Sequence, residues 1–261
     1  MSGPKTLLTI VTGSGKGYWS EHARFEPFKK EDNVDVAICF WGKNEPSDPF
    51  WKSAKYIQKQ EGNKFHLIRD FFAKNPNLVD EYDFFWFMDD DMYMTRDDFL
   101  LFMDIFKVFD FDLACPGIIS RDGGSSRFSR RRATIFRTLN TVDVNAFCVS
   151  KRAFLEVLPL FNASLYGHGW GIAEWWLEKY HDRKGRSIHG GRIGCIDASP
   201  AEHTRKKLIE KDQLGGKFGS QREELKFYEK NFIGRSVYFW LEIRQYEYIT
   251  GEKLKQAIGS K

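Results

Sequence analysis

The sequence has no run of about 18 uninterrupted apolar residues, so no helix of it is expected to cross a bilayer. Its longest apolar stretch, Phe99–Phe111, is cut by Asp104, Lys107 and Asp110. Cysteine is scarce: four in 261 residues, Cys39, Cys115, Cys148 and Cys195, far apart and each in an apolar segment. That spacing argues against a disulfide frame or a zinc site and predicts buried free thiols in a reducing compartment. In such a compartment the sequon Asn162-Ala163-Ser164 carries no meaning. The opening Met1-Ser2-Gly3-Pro4-Lys5 lacks the basic-then-apolar layout of a signal peptide. A charge excess is missing too. With 40 basic against 36 acidic residues the net charge is +4, too mild for a dedicated nucleic-acid binder but compatible with a phosphate-bearing ligand. The expectation is a soluble cytoplasmic protein without a nucleic-acid partner.

What the chain does have is aromatic bulk. Hydrophobic residues make up 42% and 24 residues are Phe, ample material for a packed core, which excludes disorder for most of the length. Short apolar runs recur at Leu7–Val11, Val34–Phe40, Phe65–Ile68, Phe84–Met88 and Leu113–Cys115. Segments between them, Trp51–Gln60 and Arg96–Phe109, read as helices, the second carrying Phe99, Phe102, Met103 and Phe106 at helical spacing. Strands alternating with helices predict an α/β fold, a mostly parallel twisted sheet flanked by helices. In such sheets ligands bind at the carboxyl ends of the strands.

After Ser120 the texture changes. A flexible stretch, Asp122-Gly123-Gly124-Ser125-Ser126, precedes Arg127, Arg130, Arg131, Arg132 and Arg137. The cluster Arg127–Arg132 suits phosphate binding or a solvated loop. Strand candidates Ala133–Leu139 and Val142–Val149 are close enough to pair as a hairpin. A helix from Lys151 to about Phe161, a glycine-rich turn Gly167-His168-Gly169-Trp170-Gly171, another helix and a last strand Ile193–Ile196 complete the domain, 1–219. A helical C-terminal extension, 220–261, is dense in Phe, Tyr and Trp, and its balanced charges favour packing on the domain over a membrane surface. Peripheral membrane contact stays open as the alternative.

The strongest chemical signal is Phe84-Phe85-Trp86-Phe87-Met88-Asp89-Asp90-Asp91, a buried strand ending in three carboxylates. Adjacent acids repel one another, and oxygen ligands at this density suit magnesium or manganese shared with substrate phosphates. Alternation along an extended chain sends Asp89 and Asp91 to one side and Asp90 to the other. A calcium loop is excluded by the lack of the EF-hand glycine and glutamate after Asp91. The bland alternative is a solvated acidic turn introducing the next helix. A second signal is Gly169-Trp170-Gly171-Ile172-Ala173-Glu174, where a Trp face suits a sugar ring and Glu174 sits at a helix start, ionised and able either to act as a base or merely to stabilise the first helical turn. Third, His203 follows the last strand and precedes Thr204-Arg205-Lys206-Lys207, with His168, His181 and His189 as its competitors. Thr12-Gly13-Ser14-Gly15-Lys16-Gly17 follows the first strand but fails the phosphate-loop pattern, because Gly17 stands where Ser or Thr is required.

These features together, over residues 5–205, resemble the GT-A-type nucleotide-sugar-dependent glycosyltransferases, in which a DxD motif ends a central strand of a Rossmann-like sheet. The resemblance implies that Asp89 faces the ribose or a metal-bound water and that Asp91 ligates manganese or magnesium. Asp90 is an additional acid able to share either role. It further implies Asp89, Asp91 and His203 as metal residues, and Thr12, Gly13, Asp89 and Asp90 as contacts to the nucleotide. Trp170, Gly169 and Arg205 are then substrate contacts. Trp-Gly-x-x-Glu resembles the stretch that carries the base of inverting members, which makes Glu174 the catalytic candidate, although Trp175 stands where a second acid is common. The activity implied is transfer of a sugar from a nucleotide-diphosphate sugar, UDP-sugar favoured, to a hydroxyl acceptor such as a glycan, with inversion. A sugar-phosphate nucleotidyltransferase and a non-catalytic sugar-nucleotide-binding protein are the alternatives.

Overall fold

The structure, a computed structural model, describes residues 3–13, 28–43, 49–120, 128–139, 142–163, 167, 187 and 189–203. Its strands are β1 (Thr6–Thr12), β2 (Val34–Phe40), β3 (Tyr56–Lys59), β4 (Phe84–Asp89), β5 (Met92–Tyr93), β6 (Phe111–Ser120), β7 (Phe136–Thr138), β8 (Ala146–Ser150) and β9 (Arg192–His203). They form one sheet in the order β3-β2-β1-β4-β8-β6-β9-β5, with β7 also on β9. Three longer helices flank it: α1 (Lys64–Lys74), α2 (Arg96–Val108) and α3 (Lys151–Val157).

The apolar run of β4 follows from its central place. Successive side chains leave a strand on opposite faces. Phe85 and Phe87 pack on one face against Phe72 of α1 and Phe154 of α3. Phe84 and Trp86 pack on the other against Phe99, Phe102 and Phe106 of α2. Both faces are covered, so alternation of apolar with polar residues is lost. α2 begins where Thr95 caps it by accepting from the Asp98 amide, and its buried stripe is Phe99, Phe102, Met103, Ile105 and Phe106.

The α/β sheet with flanking helices is present as expected, but it is mixed and not wholly parallel. β3, β2, β1 and β4 are parallel neighbours, as are β6 and β9. β8 lies antiparallel between β4 and β6, and β7 and β5 are antiparallel to β9. The expected hairpin between Ala133–Leu139 and Val142–Val149 does not form. All five residues of β8 are buried, which suits a slot in the sheet centre. β7 is held instead on β9 by a fully buried ion pair, Arg137 Nε to Asp197 Oδ2 at 2.7 Å. Arg130, which is exposed, also bonds the Asp197 carbonyl through Nε, whereas Arg137 is fully buried and serves the core.

Two further expectations are corrected. Phe65–Ile68 lies in α1, not in a strand; Phe65, Ile68 and Phe72 follow helical spacing, and so short an apolar run fits either element. Trp51–Gln60 is helical only to Ser53 and then becomes β3, whose Gln58 is buried between exposed Ile57 and Lys59. The last strand is longer than expected, running to His203 itself. All four cysteines are buried and unpaired, and burial pushes the Cys39 thiol up to about 12. Among the described residues no helix is long and apolar enough to cross a membrane. The extension 220–261 lies outside the described residues.

Candidate functional site

The register of the sheet assembles the site. β1 pairs with β4 so that Val11 faces Asp89, which sets Thr12 and Gly13 beside the turn that follows. Thr12 Oγ1 donates to Asp90 Oδ2 at 2.7 Å, and the Gly13 amide reaches the same oxygen at 3.4 Å. The chain then turns, and the two residues of β5 pair antiparallel with the end of β9, Met92 opposite His203 and Tyr93 opposite Glu202. That short pairing brings His203 Nε2 to 3.0 Å from Asp91 Oδ2. Asp89, the last residue of β4, takes a third direction: its Oδ1 lies 2.8 Å from Lys64 Nζ at the start of α1. The extended alternation therefore stops at Asp89, and the three acids have three separate partners instead of two sharing one side.

The electrostatics follow from this crowding. Burial pushes the Asp89 carboxyl up to about 7; Lys64 opposes the shift while Asp91 and Asp90 add to it. Burial likewise pushes Asp90 up to about 6, against the hydrogen bond from Thr12 and with the repulsion of Asp91. Asp143, just before β8, joins the cluster: its carboxyl is raised by burial and by Asp91 while the Asn145 amide, Lys64 and His203 lower it. Its Oδ1 accepts from the Asn145 amide at 2.9 Å. Among the described residues four carboxylates thus face one lysine and one histidine, so the cluster, when ionised, is short of positive charge there.

The donor set fits a hard divalent cation at Asp91 and His203. Their 3.0 Å contact is that of a hydrogen bond, which a cation bound by both would replace. Among the described residues no three acid, His or Cys side chains converge as a complete metal site.

At the rim Trp41 follows β2, its amide bonding the Thr12 carbonyl at 3.0 Å. Its ring lies on Gly13 so closely that an added Cβ there would come within 1.7 Å of the indole. Gly13 is needed for that approach. A flat aromatic face thus borders the carboxyl ends of β1 and β2.

Of the residues singled out in the sequence, Thr12, Gly13, Asp89, Asp90, Asp91 and His203 are brought together. Glu174, Gly169, Trp170 and Arg205 lie outside the described residues, as do His168, His181 and 14–17. His189 is elsewhere, 2.6 Å from Glu156. Gly167, at the start of the glycine-rich turn, has φ +78 and accepts from the Phe65 amide at 3.0 Å, so that turn begins against the start of α1. Sequence reasoning missed Lys64, Asp143 and Trp41. Asp143-x-Asn145 carried a signal, an Asx-type turn ahead of an apolar strand; Lys64 carried none.

Neither a protein-family model nor a curated protein sequence matches the chain. Similar solved structures include GalNAc-T7 with UDP, GalNAc and Mn2+, at 12% identity over 77% of this chain and 44% of that one, with a TM-score of 0.49. S. aureus TarS 1-349 in complex with UDP is also 12% identical, over 97% of this chain and 78% of that one, with a TM-score of 0.49. A197 from STIV covers 76% of this chain and 85% of itself at 12% identity, with a TM-score of 0.43. The chain thus spans less than half the length of the GalNAc-T7 structure it resembles.

Proposed function

We propose that the chain is a metal-dependent glycosyltransferase that moves a sugar from a nucleotide-diphosphate sugar, UDP-sugar favoured, to a hydroxyl acceptor such as a glycan. One observation carries this reading. Three acids end a central strand, and Asp91 meets His203 at 3.0 Å while Asp90 meets Thr12 at 2.7 Å, all at the carboxyl ends of parallel strands. Asp91 and His203 would hold manganese or magnesium, with Asp89 beside them. A cation there would neutralise charge developing on the departing diphosphate.

The remaining steps belong to the chain's own residues. Thr12, Gly13 and Asp90 form a hydrogen-bonded edge for the nucleotide, with the Trp41 face next to it. Asp89, fixed by Lys64, would lie toward the ribose or the cation. Gly169 and Trp170 would be the sugar contacts and Arg205 a substrate contact on the diphosphate side, all three outside the described residues. Glu174 removes the acceptor proton from the face opposite the leaving group, so the anomeric configuration inverts.

A panel of UDP-sugars with manganese, followed by proton NMR of turnover, tests the reading. Glu174→Gln should leave donor affinity within a few fold and lower turnover by roughly 10²–10⁴. Failure of every nucleotide sugar to bind would overturn the proposal. A product of retained configuration would overturn inversion alone.

A further inference from the structure

Lys64 stands where helix physics disfavours it. It is the first residue of α1, and a cation there opposes the positive end of the helix dipole; no acid lies in that first turn to compensate. Its side chain is only 11% exposed. A buried ammonium is tolerated only when its donors are taken up, and these are. Nζ meets Asp89 Oδ1 at 2.8 Å, donates to the Val144 carbonyl, and reaches the Asn145 carbonyl at 3.4 Å. The Phe65 and Phe147 rings lie 5.4 and 5.9 Å from it. The Asp89 amide in turn bonds the Asn145 carbonyl at 2.9 Å. One ammonium therefore ties together the start of α1, the end of β4 and the turn that carries Asp143. A residue that breaks a local preference while completing a charged cluster points to the cluster as its purpose.

We infer that Lys64 is a positioning residue, a permanent internal counter-ion that fixes Asp89 and sets how strongly the acid turn attracts a divalent cation at Asp91 and His203. The inference rests on the proposed metal site but is separable from it. With Lys64 in place, one of the four carboxylates is already compensated, so the turn holds its shape without an external ion. Its cation affinity is held below what four uncompensated acids would give. The ammonium repels a dication whatever else it holds, so its charge has to be read apart from its hydrogen bonds.

The test uses manganese alone, its free concentration read by electron paramagnetic resonance, with wild type, Lys64→Gln and Lys64→Arg. Gln keeps donors for the Val144 and Asn145 carbonyls and loses the charge; Arg keeps the charge. Removing a unit charge beside a dication site is expected to tighten manganese binding about five- to tenfold in Lys64→Gln. Lys64→Arg should stay near wild type. Circular dichroism checks that each variant is folded, and Lys64→Met serves in place of Gln if that variant is not. Tighter binding by the neutral variant supports the inference, even if the wild type binds no manganese. In that last case the metal dependence proposed above falls and the inference stands. A neutral variant that binds manganese no more tightly than wild type overturns the inference, whether or not wild type binds it.

Discussion

At the residue scale the site is defined by carboxylates held above their ordinary range. Asp89 and Asp90, pushed up to about 7 and about 6 chiefly by burial, keep protons that an unfolded carboxyl gives up near about 4. The folded chain therefore binds more protons than the unfolded chain in that window. Stability falls as pH rises through it, opposite in sign to a salt-bridged acid. Asp90→Asn removes one such ionisation while preserving an acceptor for Thr12. Thermal melts should show the wild type losing stability relative to Asp90→Asn as pH rises from about 4 to about 6, with little further change above about 7. A difference constant across that range would contradict the assignment. Asp35 shows the ordinary case: burial raises its carboxyl, but hydrogen bonds from Lys55, Tyr82 and Lys5 outweigh that and hold it at about 2. Its contribution is present above about 4 and lost only in strong acid, outside the window of the first test.

At the element scale β4 does two jobs with one sequence. Its apolar residues anchor both layers, and its last residue presents the first acid. Trp86 is fully buried against Phe99 and Phe102, and its indole nitrogen has no hydrogen-bond partner among the described residues. Trp86→Ala should cost about 3–5 kcal/mol through the cavity it leaves. Trp86→Phe keeps a ring, removes the unsatisfied donor and should cost less than about 1.5 kcal/mol. Urea denaturation separates the two; equal losses would mean that ring packing is not what β4 contributes. β4 was legible in the sequence because five apolar residues closed by acids match a strand covered on both faces that ends at the sheet's rim. α1 was not legible, since Phe65–Ile68 alone fits a strand or a helix and only Phe71 and Phe72 beyond it settle the period. Lys64 was hidden with it. Its partners Asp89, Val144 and Asn145 are 25 to 81 residues away, and no local pattern reports such a contact.

At the scale of the whole molecule, the α/β class and the placing of the acids at a strand's carboxyl end followed from alternating apolar runs. The mixed sheet did not. Whether β7 and β8 pair with each other or with distant strands depends on the buried Arg137–Asp197 pair and on the slot between β4 and β6. Both join segments far apart in sequence. The same holds for His203: its position after a strand was visible, but its approach to Asp91 depends on two residues of β5 pairing with the end of β9. The site is thus a product of the sheet's long-range register, and its central claim is that this register builds a cation-dependent nucleotide site. Calorimetry of UDP binding with and without manganese, on wild type and Asp91→Ala, tests it most directly. The account predicts that manganese tightens UDP binding to the wild type by tenfold or more, roughly 1.4 kcal/mol, and that Asp91→Ala abolishes this dependence while remaining folded. Equal affinity for UDP with and without manganese, or a manganese effect undiminished in Asp91→Ala, would contradict it.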